Sequence, residues 1–201
     1  MKSVLTISFN LLVLYPFAVY LSSYREGFVI KYGFKVEELP TVWVLLWQFA
    51  FCVYIEDIGF SIAHRILHSK FLYKHVHKVH HTYSQTIGIA GGYAHPVEFI
   101  IGNMIPAIIP VILLGSRIHI LTVFTWPILR IAASTNNHSG YDFPWVPWDL
   151  LPFRATPDYH DFHHSGGDFG GNYSGQTTIL DTIWGTNQKY YKTLKESEKK
   201  E

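Results

Sequence analysis

At 201 residues the chain fits one domain, and a formal net charge of +1 supplies no long-range field to gather nucleic acid, which argues against that class of function. Hydrophobic residues make up 48% and charged residues only 15%, against a usual charged share of about 25%, at a mean hydropathy of +0.12. That mixture describes a membrane protein with a sizeable polar part. Cys52 is the only cysteine, which excludes a disulfide framework or a CxxC site within the chain and leaves it the role of a small buried hydrophobe.

Residues 4–21 form an uncharged run of 18, long enough to cross most of a hydrocarbon core and read as a membrane helix. A signal peptide is the competing reading, but Pro16 interrupts the run and no small-x-small cleavage site follows. Residues 25–40 mix charged and apolar side chains as expected of a loop at the membrane surface, and Pro40 ends it. A second apolar run begins at 41 and continues without a breaker through Glu56 and Asp57 to His64 and His68, so the span 41–63 should project its last turns beyond the membrane. Two more runs, 97–114 and 118–134, are separated by Gly115-Ser116-Arg117, which is short enough to demand a tight helical hairpin, and Pro106, Pro110 and Pro127 should kink them. From residue 135 the chain is polar, aromatic and rich in Gly and Pro, ending in a charged tail. The expectation is an all-α membrane protein forming a single domain over 1–201, with about four transmembrane helices and a histidine-rich cap made from 64–92 and 135–190. Two crossings between residues 81 and 160 return the chain to its starting side, so all the histidine clusters can meet. Arg65, Lys70, Lys74 and Lys78 mark that side as cytosolic.

Twelve histidines are the anomaly of the composition. His64 and His68 stand at i and i+4 in HRILH, on one helical face. A zinc protease motif would place Glu after the first histidine as general base, where this chain has Arg65. HKVHH sets His77, His80 and His81 at i, i+3 and i+4, and HDFHH repeats the spacing with His160, His163 and His164. Eight imidazoles exceed the four that one tetrahedral metal takes, so the pattern calls for two metals; imidazole suits Zn, Cu, Fe and Ni alike and does not choose among them. His138, directly after the last apolar run, is the ninth candidate ligand. His95 is a candidate for a supporting role beside the metals, His75 falls off the HKVHH face, and His119 is expected at the interface. Asp57, seven residues before His64, is placed to accept the second ring N–H of a ligand imidazole, and Asp161 and Asp142 could serve similarly. The segment 165–175, SGGDFGGNYSG, offers backbone freedom for a close turn beside the metals.

HRILH, HKVHH and HDFHH, in that order with a membrane hairpin before the third, resemble the fatty acid hydroxylase/sterol desaturase superfamily. IED before the first box, YAHPVE, NHSGYD, LLPF, GNY and DTIWGT are similar to the C4-methylsterol monooxygenases within it. The resemblance covers roughly residues 41–190, with one apolar run before it, fewer than familiar members have. It implies a non-haem di-iron centre using O2 on an unactivated C–H bond of a lipid, most specifically the C4-methyl group of a sterol, in the endoplasmic reticulum membrane. No nucleotide, haem or iron–sulfur motif supplies electrons, so an external NAD(P)H-dependent donor is needed, and the resemblance points to cytochrome b5 and its reductase. Fatty acyl or sphingolipid hydroxylation and sterol desaturation by sibling enzymes are the alternatives, followed by a zinc hydrolase. A metal transporter would place its ligands within the apolar runs rather than just beyond them.

Overall fold

The computed structural model describes residues 2–14, 16, 36–166 and 170–199. Within these the chain is helical, with no β-strand and a single isolated bridge between Arg154 and Thr177. A short helix α1 (Lys2–Phe9) runs into a π-helical turn, Asn10–Leu14. The long helix α2 (Val42–Leu67) leads to the short α3 (Lys70–His75), and the helical segment α4 (Pro96–Arg117) forms a hairpin with α5 (Ile120–Asn137). Three further helices close the chain, α6 (Pro157–Ser165), α7 (Ile179–Trp184) and α8 (Gln188–Glu198).

Helix α2 is built inside out relative to a soluble helix. Thr41 caps it by accepting from the Val44 amide, and the residues it buries are largely polar: Gln48, Glu56, Asp57, Ser61 and His64 accompany Cys52 and Leu67. Its exposed residues include Val42, Trp43, Leu46, Trp47, Ile58, Ile62 and Ile66. An apolar exterior over a polar interior suits a helix solvated by lipid, where unpaired polar groups are costly and turn toward one another. Among the described residues, two helices, α2 and α4, are long and apolar enough to cross a membrane. The expected count of about four crossings is therefore met only in part. The run at 118–134 is helical but carries Thr122, Thr125, Arg130 and Ser134, and the run at 4–21 is described only through Leu14 and at Pro16, with the rest of it and residues 25–35 of the expected surface loop outside the described residues.

The hairpin turns at Gly115, whose φ of 53° is left-handed territory open to glycine. Gln48 locks the turn, its Nε2 donating to Arg117 O (2.8 Å) while its Oε1 accepts from the His119 amide (3.2 Å) and Thr122 Oγ1 (2.7 Å). Beside it, Cys52, Leu114, Ile118 and Trp126 form an apolar cluster, with Cys52 fully buried as expected. Pro106 lacks the N–H that a regular helix would use, and the turn before it, Phe99–Met104, is wound as a π-helix.

Helices α2 and α4 pack closely where Gly59 meets Pro106. A Cβ at Gly59 would lie 3.3 Å from Pro106 Cβ and 3.4 Å from its Cα, so a larger side chain must push the helices apart. Gly59→Leu is expected to cost about 1–3 kcal/mol, read as a lower unfolding midpoint in detergent; an unchanged midpoint would contradict this packing.

Candidate metal centre

The nine predicted histidines converge in two groups, His64, His68, His77, His81 and His163 in one and His80, His138, His160 and His164 in the other, with ligand atoms inside each group all within 4.8 Å of one another. All but His81 are buried. Each HxxHH motif serves both groups: the i, i+4 pair goes to one and the i+3 residue to the other. The motif 160–164 lies on α6 as expected, whereas 77–82 is a 3₁₀ turn rather than a stretch of α-helix.

Four of the imidazoles have their proton position dictated by a backbone carbonyl, which can only accept. Nδ1 of His64 donates to Tyr173 O (2.6 Å), that of His163 to Gly171 O (2.6 Å), that of His138 to Ser134 O (2.8 Å) and that of His80 to Tyr93 O (3.3 Å). His77 Nδ1 lies 2.8 Å from the Glu98 carboxylate. A neutral imidazole has one N–H, so Nε2 of His64, His163, His138 and His80 carries a lone pair. Yet Nε2 of His80 and Nε2 of His138 face each other at 3.4 Å. Two lone pairs at that range repel and cannot form a hydrogen bond. Nitrogens about 2.1 Å from a shared metal would stand about 3.0 Å apart at a right angle and about 3.4 Å apart at the tetrahedral angle. The donor set thus fits a cation in each group.

Burial and mutual repulsion keep these rings neutral, the form that binds metal. Burial first, and then repulsion from His138, lowers His80 to about 3, while burial brings His138 to about 4 against the opposing pull of the Ser134 carbonyl. His77, His160 and His163 are likewise held well below the ordinary histidine range, by burial first and by neighbouring imidazoles second.

The segment after the third motif supplies two of the carbonyls that fix ring orientation. Gly171 has φ of 89°, and a Cβ there would sit 2.0 Å from Thr186 O, so the chain can pass only with glycine. Two buried carboxylates clamp this segment. Asp181 accepts from the amides of Tyr173 (2.9 Å) and Ser174 (2.8 Å) and from the Tyr159 hydroxyl (2.8 Å). Asp57 accepts from the amides of Gly175, Gln176 and Thr177 and from Thr177 Oγ1.

Asp57 therefore acts on the loop, not on an imidazole as its helical position had suggested; the carboxyl group beside a ring nitrogen is that of Glu98. Asp161 accepts from the amide and hydroxyl of Thr86, and Asp142 meets Arg154 at the surface. His95 lies outside both groups and caps α4 by accepting from the Val97 amide (3.2 Å). His75 is exposed, and His119 is buried at the start of α5 with Nε2 3.1 Å from Glu38 O. Sequence reasoning missed Glu98, Asp181 and Glu56. The first lies in YAHPVE and the second in DTIWGT, and both sit at apolar positions where an acid needs a partner.

Two outcomes follow for the centre. Glu98→Gln, which keeps the shape but replaces the carboxyl group behind His77 with an amide, should weaken metal affinity about 10–100-fold by competition with a chelator, with little change in helical content. For the metal-stripped protein, the folded His80 and His138 titrate below the unfolded value of about 6.5, so between these limits the unfolded chain binds more protons. Their contribution to stability is complete above about pH 6.5 and falls as pH drops toward 4, by about 1.4 kcal/mol per pH unit for each group. Urea unfolding midpoints at about pH 7 and about pH 5 measure this loss, and equal midpoints would contradict it.

A family model described as fatty acid hydroxylase matches residues 49–186. A Dictyostelium discoideum protein provisionally named a methylsterol monooxygenase is 44% identical over 153 residues, 76% of this chain and 55% of its own. Methylsterol monooxygenase 1 of Gallus gallus is 39% identical over 178 residues, 89% of this chain and 57% of its own. A very-long-chain aldehyde decarbonylase of Oryza sativa subsp. indica is 37% identical over 153 residues, 76% of this chain and 56% of its own. The chain spans a little over half the length of these relatives, and no solved structure matches. With more than half of its residues matched by the family model and the histidine motifs inside the match, the chain belongs to the fatty acid hydroxylase family.

Proposed function

We propose that this protein is a membrane-bound di-iron monooxygenase that oxidises an unactivated C–H bond of a lipid, specifically the C4-methyl group of a sterol. The observation that carries the reading is the pair of convergent imidazole groups, one of which sets the Nε2 lone pairs of His80 and His138 against each other at 3.4 Å, as shared ligands of a cation would stand. Two irons held there would supply O2 activation, with one oxygen atom entering the C–H bond and the other leaving as water on receipt of two electrons and two protons. Similarity to methylsterol monooxygenases supports the substrate, and imidazole-only ligation is compatible with iron.

The side chains divide the remaining work. His64, His68, His77, His81 and His163 would hold one ion and His80, His138, His160 and His164 the other. Backbone carbonyls fix ring tautomers, and Asp57 and Asp181 hold the loop that provides two of those carbonyls. A cavity of about 40 Å³, bounded by Phe60, Leu67, Gly102 and histidines of both groups, has room for a few water-sized groups beside the candidate metal positions. Asp142, Asp161 and His95 act at a distance, through the surface pair, the Thr86 contact and the helix cap.

The proposal extends to the setting: a single catalytic unit in the endoplasmic reticulum membrane, histidines toward the cytosol, with cytochrome b5 and its NAD(P)H-dependent reductase as electron donors. The named decarbonylase relatives make a long-chain aldehyde the competing substrate. Iron-loaded protein in membranes, given O2 and reduced cytochrome b5, should convert a 4-methylsterol to its hydroxymethyl product by mass spectrometry and leave a very-long-chain aldehyde unchanged. His163→Ala and His160→Ala should each lower turnover by more than about a hundredfold and lose metal from the group they serve. Turnover without O2, or full activity in either variant, would overturn the reading.

A further inference from the structure

The cavity that touches the histidines has a second polar wall that no metal explains. Glu56 of α2 is 3% exposed; its Oε1 accepts from Arg130 Nε of α5 at 3.0 Å, and its Oε2 is buried without a hydrogen-bond partner among the described residues. Arg130 Nη2 donates to Asn103 Oδ1 of the π-helical turn at 3.0 Å. Of the five N–H donors of a guanidinium, these contacts use two. Glu56, Asn103 and Arg130 line the same cavity as His64, His77, His80, His138 and His160.

A buried ion pair could simply tie α2 to α5, but that role needs one carboxylate oxygen and leaves the other costly to bury. Glu98 also has an unpartnered Oε2 on this wall, but its other oxygen is committed to His77, and no guanidinium lies against it. At Glu56 an unpartnered acceptor and spare donors sit side by side with no net charge between them. That combination suits a group that donates and accepts one hydrogen bond each. A carboxylate would be repelled by Glu56, an ammonium by Arg130, and a bare hydrocarbon would leave both unanswered.

We propose that Glu56 and Arg130 form a receptor for a hydroxyl group of the lipid substrate, which donates to Glu56 Oε2 and accepts from the Arg130 guanidinium. The inference rests on the sterol reading above and deepens it. Eight residues of helix, about 12 Å of rise, separate Glu56 from His64, and their side chains approach the same cavity. A hydroxyl held at Glu56 therefore enters the same cavity that the histidines of both groups border. In a 4-methylsterol the 3-hydroxyl is on the ring carbon adjacent to the methyl-bearing one, whereas an acyl chain or a long-chain aldehyde has no such group.

The test is binding, measured in nanodiscs with metal-loaded protein, of 4,4-dimethylcholestanol and of its 3-deoxy counterpart 4,4-dimethylcholestane. Wild-type protein should prefer the alcohol by about tenfold or more. The double variant Glu56→Leu/Arg130→Met replaces the pair by apolar side chains of similar size, a change that buried ion pairs commonly tolerate, and should reduce the preference to within about twofold. Glu56→Gln, which keeps the shape, should lower the preference as well. Equal wild-type affinity for the two ligands would overturn the receptor without reference to any variant, as would a double variant that keeps the wild-type ratio, the free oxygen then being answered by water. Failure of wild-type protein to bind either ligand would instead sink the sterol reading, and the receptor with it.

Discussion

Nine imidazole nitrogens pointing at one another is an arrangement that the rest of the structure must enforce. A histidine left to itself turns its lone pair toward a donor, and here four rings are prevented from doing so because their N–H is already committed on the opposite edge. The carbonyls that make those commitments are themselves immobilised. Asp57 and Asp181 hold the segment 171–177 through its amides, so the carbonyls of Gly171 and Tyr173 are aimed before any ion arrives. Most of the cost of gathering the lone pairs is thus met during folding, which is how a site preorganises for a cation.

The spacing of HxxHH acquires a specific meaning in this frame. Residues at i and i+4 reach one group while i+3 turns to the other, so a single motif bridges two centres and fixes their separation. His77 and His81 share a group with His163, and His160 and His164 share the other with His80, so the two motifs exchange one histidine each. Neither centre could then lose a motif without disturbing both. The HRILH pair, with no third histidine, serves one group alone, and His138 fills the corresponding place in the other.

Much of this was legible in the sequence because metal-ligand spacing is local. The nine histidines, the tight hairpin at 115–117 and the burial of Cys52 all follow from residues close in the chain. What was not legible depended on distant contacts. Asp57 has the helical phase to reach His64, but the loop at 175–177, more than a hundred residues later, offers it four donors and takes precedence. Glu98 was passed over because it sits among apolar residues near a helix start, where an acid reads as a first-turn charge; its partner His77 lies some twenty residues back. For His119 the neighbouring Arg117 gave no sign that its ring caps a helix and is buried. Among the described residues, length and apolarity mark α2 and α4 as able to cross a membrane, while α5 carries Thr122, Thr125, Arg130 and Ser134 within its apolar run.

The polar residues of α2 tie these levels together. From Gln48 through Glu56, Asp57 and Ser61 to His64 and His68, the buried polar positions of a single helix carry the hairpin lock, the ion pair, the loop clamp and the first candidate metal ligands over about 30 Å. In water such groups would favour the exterior. With Val42, Leu46, Ile58, Ile62 and Ile66 exposed, a lipid environment reverses that preference and drives the polar groups together. Each then needs a partner from another element, which is why Gln48 finds the hairpin turn, Glu56 finds Arg130 and Asp57 finds the terminal loop. A lipid environment is therefore the solvent in which the buried polar groups of this helix assemble into one site.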